Sequence, residues 1–112
     1  MLDCVFCKIC ARQIPAMVVY EDDEFMGLRD IAPKAPIHIM IFTKQHYEAL
    51  HNCDPRQAGL LGRMLLVAVE LARRENCVAS GYRIIMNGGE AQAIRHLHLH
   101  LLGGRVFGWP PG

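Results

Sequence analysis

The sequence predicts an α+β domain, a twisted antiparallel sheet of about five strands with one long helix packed on a face and a short helix at the N-terminus. Three observations predict it. A single long stretch, from Asp54-Pro55 to Arg73-Arg74, carries apolar residues at helical spacing. The other apolar runs are short, and several are joined by connections compact enough for antiparallel pairing. The run His96-Leu97-His98-Leu99-His100-Leu101-Leu102 alternates with the period of two that belongs to a strand.

Each element has its own signal. Asp3 is placed to cap a short helix from about Cys4 to Arg12, which must stop before Pro15. Met17 to Glu21 and Glu24 to Arg29, separated by Asp22-Asp23, read as a hairpin. Ile37 to Phe42 is a strongly apolar strand introduced by the loop with Pro33 and Pro36. Asp54-Pro55 supplies an N-cap and a proline at the first helical position. Leu60, Leu61, Met64, Leu65, Ala68 and Leu71 then recur on one helical face, and Arg73-Arg74 suit the negative end of the helix dipole. Gly81 to Met86 and Ile94 to Leu102 are the last strands, the second ended by Gly103-Gly104. Pro110 and Pro111 keep the tail from Val106 to Gly112 out of any central strand, and its Phe107 and Trp109 are expected to dock on something.

Length and composition narrow the function classes. With 112 residues and no repeat or linker, the chain is expected to form a single domain, 1–112. Hydrophobic residues make up 52%, enough for one core, and charged residues 21%. Twelve basic residues against eleven acidic ones leave a net charge of +1, so no nucleic-acid partner and no anionic membrane surface are expected. The longest apolar run, Met64 to Val69, is far too short to span a bilayer. No leader pattern is visible, so the cytoplasm is the expected compartment. Three of the five cysteines, Cys4, Cys7 and Cys10, are clustered, which there suits thiols or metal ligands better than disulfides. Cys53 and Cys77 read as small buried apolar residues.

The histidine alternation carries the chemistry. On a strand, His96, His98 and His100 share one face and the leucines the other, whereas on a helix His96 and His98 would stand roughly 200° apart. The leucine face should be buried and the histidine face should line a cleft or meet solvent. Imidazole changes charge near neutral pH and serves as nucleophile, acid, base or ligand, so a row of three can divide those roles. Histidines on the wet side of an edge strand are the bland alternative. A His-x-His metal pair is the sharper rival.

His-Leu-His-Leu-His-Leu-Leu resembles the signature of the histidine triad family. Phe6-Cys7-Lys8-Ile9 with Ile14-Pro15 resembles its opening segment, and Asp30-Ile31-Ala32-Pro33-Lys34-Ala35-Pro36 before His38 resembles its nucleoside loop. Gly81-Tyr82-Arg83 leading to Asn87, then Gly103-Gly104-Arg105 and Trp109-Pro110-Pro111-Gly112, are similar to the branch called histidine triad nucleotide-binding proteins. The resemblance implies a homodimer with joined sheets and a purine nucleotide site in each subunit. It implies cleavage of nucleoside phosphoramidates or adenylates at the α-phosphorus through a nucleotidyl-histidine intermediate. On this chain His98 becomes the nucleophile, His100 contacts the phosphate and handles protons, and His96 orients the site. Asp30 binds the ribose hydroxyls and Asn87 donates on the phosphate side. Val5, Phe6, Ile9, Leu28 and Ile31 form the slot for the base, with His38 nearby. A nucleotide-binding regulator with little turnover and a dinucleoside polyphosphate hydrolase are the alternatives.

Two departures stand out. The loop Gly88-Gly89-Glu90-Ala91-Gln92-Ala93 is shorter than is usual in that branch, and Ala93 stands where many members place a serine. A missing donor costs about 1 to 3 kcal/mol where it is needed, so weak phosphoramidase activity or a different leaving group is open. Cys4-x-x-Cys7 is a metal half-site, since thiolates three residues apart in a first helical turn converge. The resemblance implies His46 and His96 as the remaining ligands of a structural zinc not required for catalysis, with His51 an alternative to His46. A pair of thiols without metal is the other reading.

Overall fold

In the computed structural model, which describes residues 3–112, five strands form one antiparallel sheet. They are β1 (Val18–Glu21), β2 (Phe25–Arg29), β3 (Ile37–Thr43), β4 (Tyr82–Ile85) and β5 (His98–Gly103), in the order β1-β2-β3-β5-β4. Strands β3 and β5 lie at the centre, paired so that Met40 faces His100 and Phe42 faces His98. Alternation then assigns the two faces. Ile39, Ile41, Leu99 and Leu101 join Phe25 on the side covered by helix α2 (Ala58–Arg74). Met26, Leu28 and Phe42 face the other way, under helix α1 (Val5–Cys10), which presses Phe6 and Ile9 onto them. Each core is the physical consequence of an apolar face that must leave water.

Most expected elements are present, with four corrections. The first helix is capped by Cys4 rather than Asp3, the Cys4 thiol accepting from the Cys7 N–H at 3.4 Å. The long helix starts in a turn of 3-10 helix, Pro55–Gln57, with Asp54 and Gln57 closing a capping box. Its buried stripe is Met64, Val67, Ala68, Leu71 and Ala72, leaving Leu65 and Leu66 exposed, so the apolar face is rotated from the expected one. The last strand begins at His98, not Ile94, because Gln92 and the Leu97 N–H bond back to the Glu48 and Tyr47 carbonyls and hold the preceding segment off the ladder.

Cys77 is buried as expected but Cys53 is only half-buried. The tail is held through Phe107, which lies 5.1 Å from the Arg83 guanidinium and 4.4 Å from that of Arg105, while Trp109 stays exposed. Among the described residues no helix is long and apolar enough to cross a membrane.

Candidate active site and metal centre

The histidine face is not wet. His96 and His98 are buried, and only His100 is partly open. Phe6 explains this. Its ring stacks on Phe42 at 4.2 Å and sets its edge against His96 and His98, with centroids 5.6 and 5.2 Å away. Sequence alternation finds the face but not the aromatic cover, which arrives from α1.

Fixed backbone partners decide the tautomers. His98 Nδ1 lies 2.6 Å from the His96 carbonyl oxygen. A carbonyl only accepts, so Nδ1 carries the proton and Nε2 keeps the lone pair. The Lys34 backbone N–H, which only donates, reaches His38 Nδ1 at 3.0 Å. The neutral His38 ring therefore carries its proton on Nε2, which donates to His100 Nδ1 at 2.9 Å. That leaves His100 with its proton on Nε2. The chain thus presents a nucleophile-type nitrogen on His98 beside a donor-type nitrogen on His100, with ring centroids 5.1 Å apart.

Burial keeps these rings neutral. It lowers the pKa of His38 and of His98, in the latter against the His96 carbonyl, which favours the charged form. His100 is lowered to about 4, by burial first and then by the charges of His98 and His38. Asp30 Oδ2 stands 3.4 Å from His38 Nε2, and its Oδ1 accepts from the Ala32 N–H at 2.8 Å.

A cavity of about 320 Å³ opens beside these groups, lined by Asp30, Lys34, His38, Asn87, Ala93 and His100 with the apolar Ala32, Ile85 and Leu102. The sequence-derived Asp30, Asn87 and His38 therefore meet at His100. The residues proposed for the base slot do not line it. Phe6, Ile9 and Leu28 are packed in the core under α1, Val5 is half-buried against them, and Ile31 is 94% exposed. Lys34 is the residue that sequence reading missed, because its N–H acts through the backbone and leaves no side-chain signal.

Among the described residues, two groups bring ligand atoms within 4.8 Å of one another. In the first, Cys4 Sγ lies 3.2 Å from His96 Nδ1, Cys7 Sγ 3.3 Å from His46 Nδ1, and the two Nδ1 atoms 3.0 Å apart. His96 Nε2 donates to the Thr43 carbonyl at 2.6 Å, so its Nδ1 lone pair faces the thiols. These separations approach the edges of about 3.3 to 3.8 Å of a tetrahedron with zinc-length bonds. The donor set fits zinc. His51 lies outside the cluster and is exposed. The second group, Asp30, His38 and His100, fits a metal poorly, because Lys34 forces the proton onto the very His38 nitrogen that would have to bind.

Known proteins match this architecture throughout. Residues 3–106 match the family model described as scavenger mRNA decapping enzyme C-terminal binding. An uncharacterized HIT-like protein of Synechococcus elongatus is 46% identical over 98% of this chain and 97% of its own length. The 14 kDa zinc-binding protein of Brassica juncea is 40% identical over 98% of this chain and all of its own. The adenylylsulfatase HINT1 of Arabidopsis thaliana is 40% identical over 96% and 76%. Among solved structures, a HIT family hydrolase from Legionella pneumophila superposes with a TM-score of 0.93 at 43% identity, covering 98% of this chain and 100% of that one. A zinc-bound histidine triad protein from Mycobacterium smegmatis gives 0.81 at 31%, covering 99% and 81%. With its alternating histidines leading into and along a central strand of the same fold, the chain belongs to the histidine triad family of hydrolases and nucleotide-binding proteins.

Proposed function

We propose that this chain is a purine nucleotide hydrolase that cleaves nucleoside phosphoramidates or adenylates at the α-phosphorus through a nucleotidyl intermediate on His98. One observation carries the reading: the 2.6 Å bond from His98 Nδ1 to the His96 carbonyl, which leaves Nε2 as a neutral nucleophile. His98 Nε2 attacks phosphorus, the leaving group departs, and water then releases the nucleoside monophosphate. The His100 Nε2–H and the Asn87 amide donate to phosphoryl oxygens as charge builds on them. In this reading Asp30 accepts from the ribose hydroxyls, and the base lies toward Val5, Phe6, Ile9, Leu28 and Ile31, with His38 nearby.

Cys4, Cys7, His46 and His96 hold a structural zinc in this reading. Four protein ligands leave no open position, so the ion supplies a crosslink between α1 and the segment before β5 and is not needed for the chemistry. The active form is a homodimer. Strand β4 is an unpaired sheet edge, and Leu65, Leu66 and Trp109 are exposed at 48%, 68% and 84%. A stable 12.6 kDa species in sedimentation at micromolar concentration would refute the dimer. None of the five cysteines is paired in a disulfide, which suits a reducing compartment, the cytoplasm.

The test is mass spectrometry of a rapidly quenched reaction with a fluorogenic adenosine phosphoramidate and with adenosine 5′-phosphosulfate. The expected result is a nucleotidyl adduct on the peptide bearing His98, absent in His98→Ala, which should lose nearly all turnover. A His98→Ala variant that keeps most of the wild-type rate would sink the assignment.

A further inference from the structure

The loop between β2 and β3 carries the N–H that sets His38, yet it is tied together almost entirely from within. Asp30 Oδ1 accepts from the Ala32 N–H at 2.8 Å, the Lys34 ammonium donates to the Ala32 carbonyl at 2.9 Å, and the Lys34 N–H reaches His38 Nδ1 at 3.0 Å. Pro33 and Pro36 have no N–H to offer. Among the described residues, one hydrogen bond reaches residues 31–35 from outside residues 30–38. Arg105 Nε donates to the Lys34 carbonyl at 3.2 Å.

The end of β5 delivers Arg105 to that carbonyl. Gly103 pairs with Ile37, and Gly104, at φ +84°, turns the chain close over Pro36, where a Cβ would meet the proline Cβ at 3.0 Å. Arg105 is then braced by the tail. Its guanidinium lies over the Phe107 ring and donates to the Val106 carbonyl at 3.2 Å, while Arg83 lies over the same ring and donates to the Gly108 carbonyl at 2.8 Å.

Lys34 is therefore gripped on both sides, its N–H by His38 and its carbonyl by Arg105. Without the second grip the loop can drift, and the Lys34 N–H no longer bars a proton from His38 Nδ1. His38 and His100 can then exchange roles. His38 takes the proton on Nδ1 and accepts at Nε2 from His100 Nδ1, which leaves His100 Nε2 bare. Asp30 Oδ2, 3.4 Å from His38 Nε2, still favours a proton there, so the exchange is partial.

We propose that Arg105 is a positioning residue for the histidine site: it anchors the Lys34 peptide so that its N–H stays on His38 Nδ1, and through His38 it keeps the donating proton on His100 Nε2. The kinetic consequence rests on the nucleotidyl-His98 reading, whereas the proton positions do not.

Two substitutions at this exposed position test it. Arg105→Met removes the donor and keeps an unbranched stem over Phe107, and Arg105→Lys returns a cation and a donor. Three quantities are measured: the nitrogen-15 spectra of the histidine rings, hydrogen exchange at the Lys34 amide, and kcat and KM for adenosine 5′-phosphosulfate. In Arg105→Met the Lys34 amide should exchange several-fold faster, and the ring nitrogens of His38 and His100 should move toward the average of two tautomers. The fall should be about three- to tenfold in kcat with KM within about twofold, since donation to a phosphoryl oxygen strengthens in the transition state. Arg105→Lys should restore most of the ring signals and of kcat. Unchanged ring nitrogens and Lys34 exchange in Arg105→Met, or a loss confined to KM or to melting temperature, would overturn the proposal. So would an Arg105→Lys protein no better than Arg105→Met. A wild-type protein that forms no adduct on His98 removes the nucleotidyl reading instead, and the ring nitrogens then decide the role of Arg105 by themselves.

Discussion

Replacing His38 with phenylalanine isolates the hydrogen-bonded chain that sets His100. The ring volume is nearly kept, and His38 sits against Leu102 across β3 and β5, so the sheet should tolerate it. What disappears is the donor at 2.9 Å from His100 Nδ1 and the acceptor for the Lys34 N–H. Lys34 is exposed and its N–H can turn to water. His100 is then free to hold its proton on Nδ1, where it no longer donates to a phosphoryl oxygen from Nε2. Losing one hydrogen bond to a charged group is worth about 1.5 to 3 kcal/mol, which is roughly a ten- to 150-fold fall in kcat/KM. The assay is steady-state cleavage of adenosine 5′-phosphosulfate, with the melting temperature as a check on folding and adduct mapping as a check that His98 still attacks. A stable His38→Phe protein within about threefold of wild type would refute the coupling from Lys34 through His38 to His100.

Three further outcomes follow from the same geometry. Burial lowers the pKa of His38 and of His100, the latter to about 4, so the unfolded chain binds their protons first as pH falls; stability present above about 6.5 should erode progressively toward pH 4 in denaturant titrations, and a flat profile there would contradict it. Protein purified without chelator should contain close to one zinc per chain, and a Cys4→Ser variant should lose it and melt at a lower temperature while His98 still forms an adduct; well under half a zinc per chain would count against the centre. A methyl group added by Gly103→Ala would meet Cys77 Sγ at 2.7 Å, so the variant should lose about 1 to 3 kcal/mol in urea unfolding, and Cys77→Ala in the same chain should recover part of that.

Alternation and spacing reach far in this protein because the central strands are each buried on both faces by different partners. The period of two placed Leu99 and Leu101 toward α2 and His98 and His100 away from it, and Asp54-Pro55 set the start of the long helix within a turn. Asp30, His38, Asn87 and His100 were also nameable from the chain, since each is a distinctive residue at a motif position. Tertiary structure alone decided the rest. Leu65 and Leu66 fall outside the buried stripe because helix rotation is set by the sheet that α2 meets, not by local periodicity. His96 leaves the strand because the segment before it is tied to the Glu48 and Tyr47 carbonyls, far away in sequence. The tautomers of His98 and His100 depend on a carbonyl and a backbone N–H, groups that every residue possesses and no sequence distinguishes. Residue types state which chemistry is available; only the fold determines which nitrogen carries the proton.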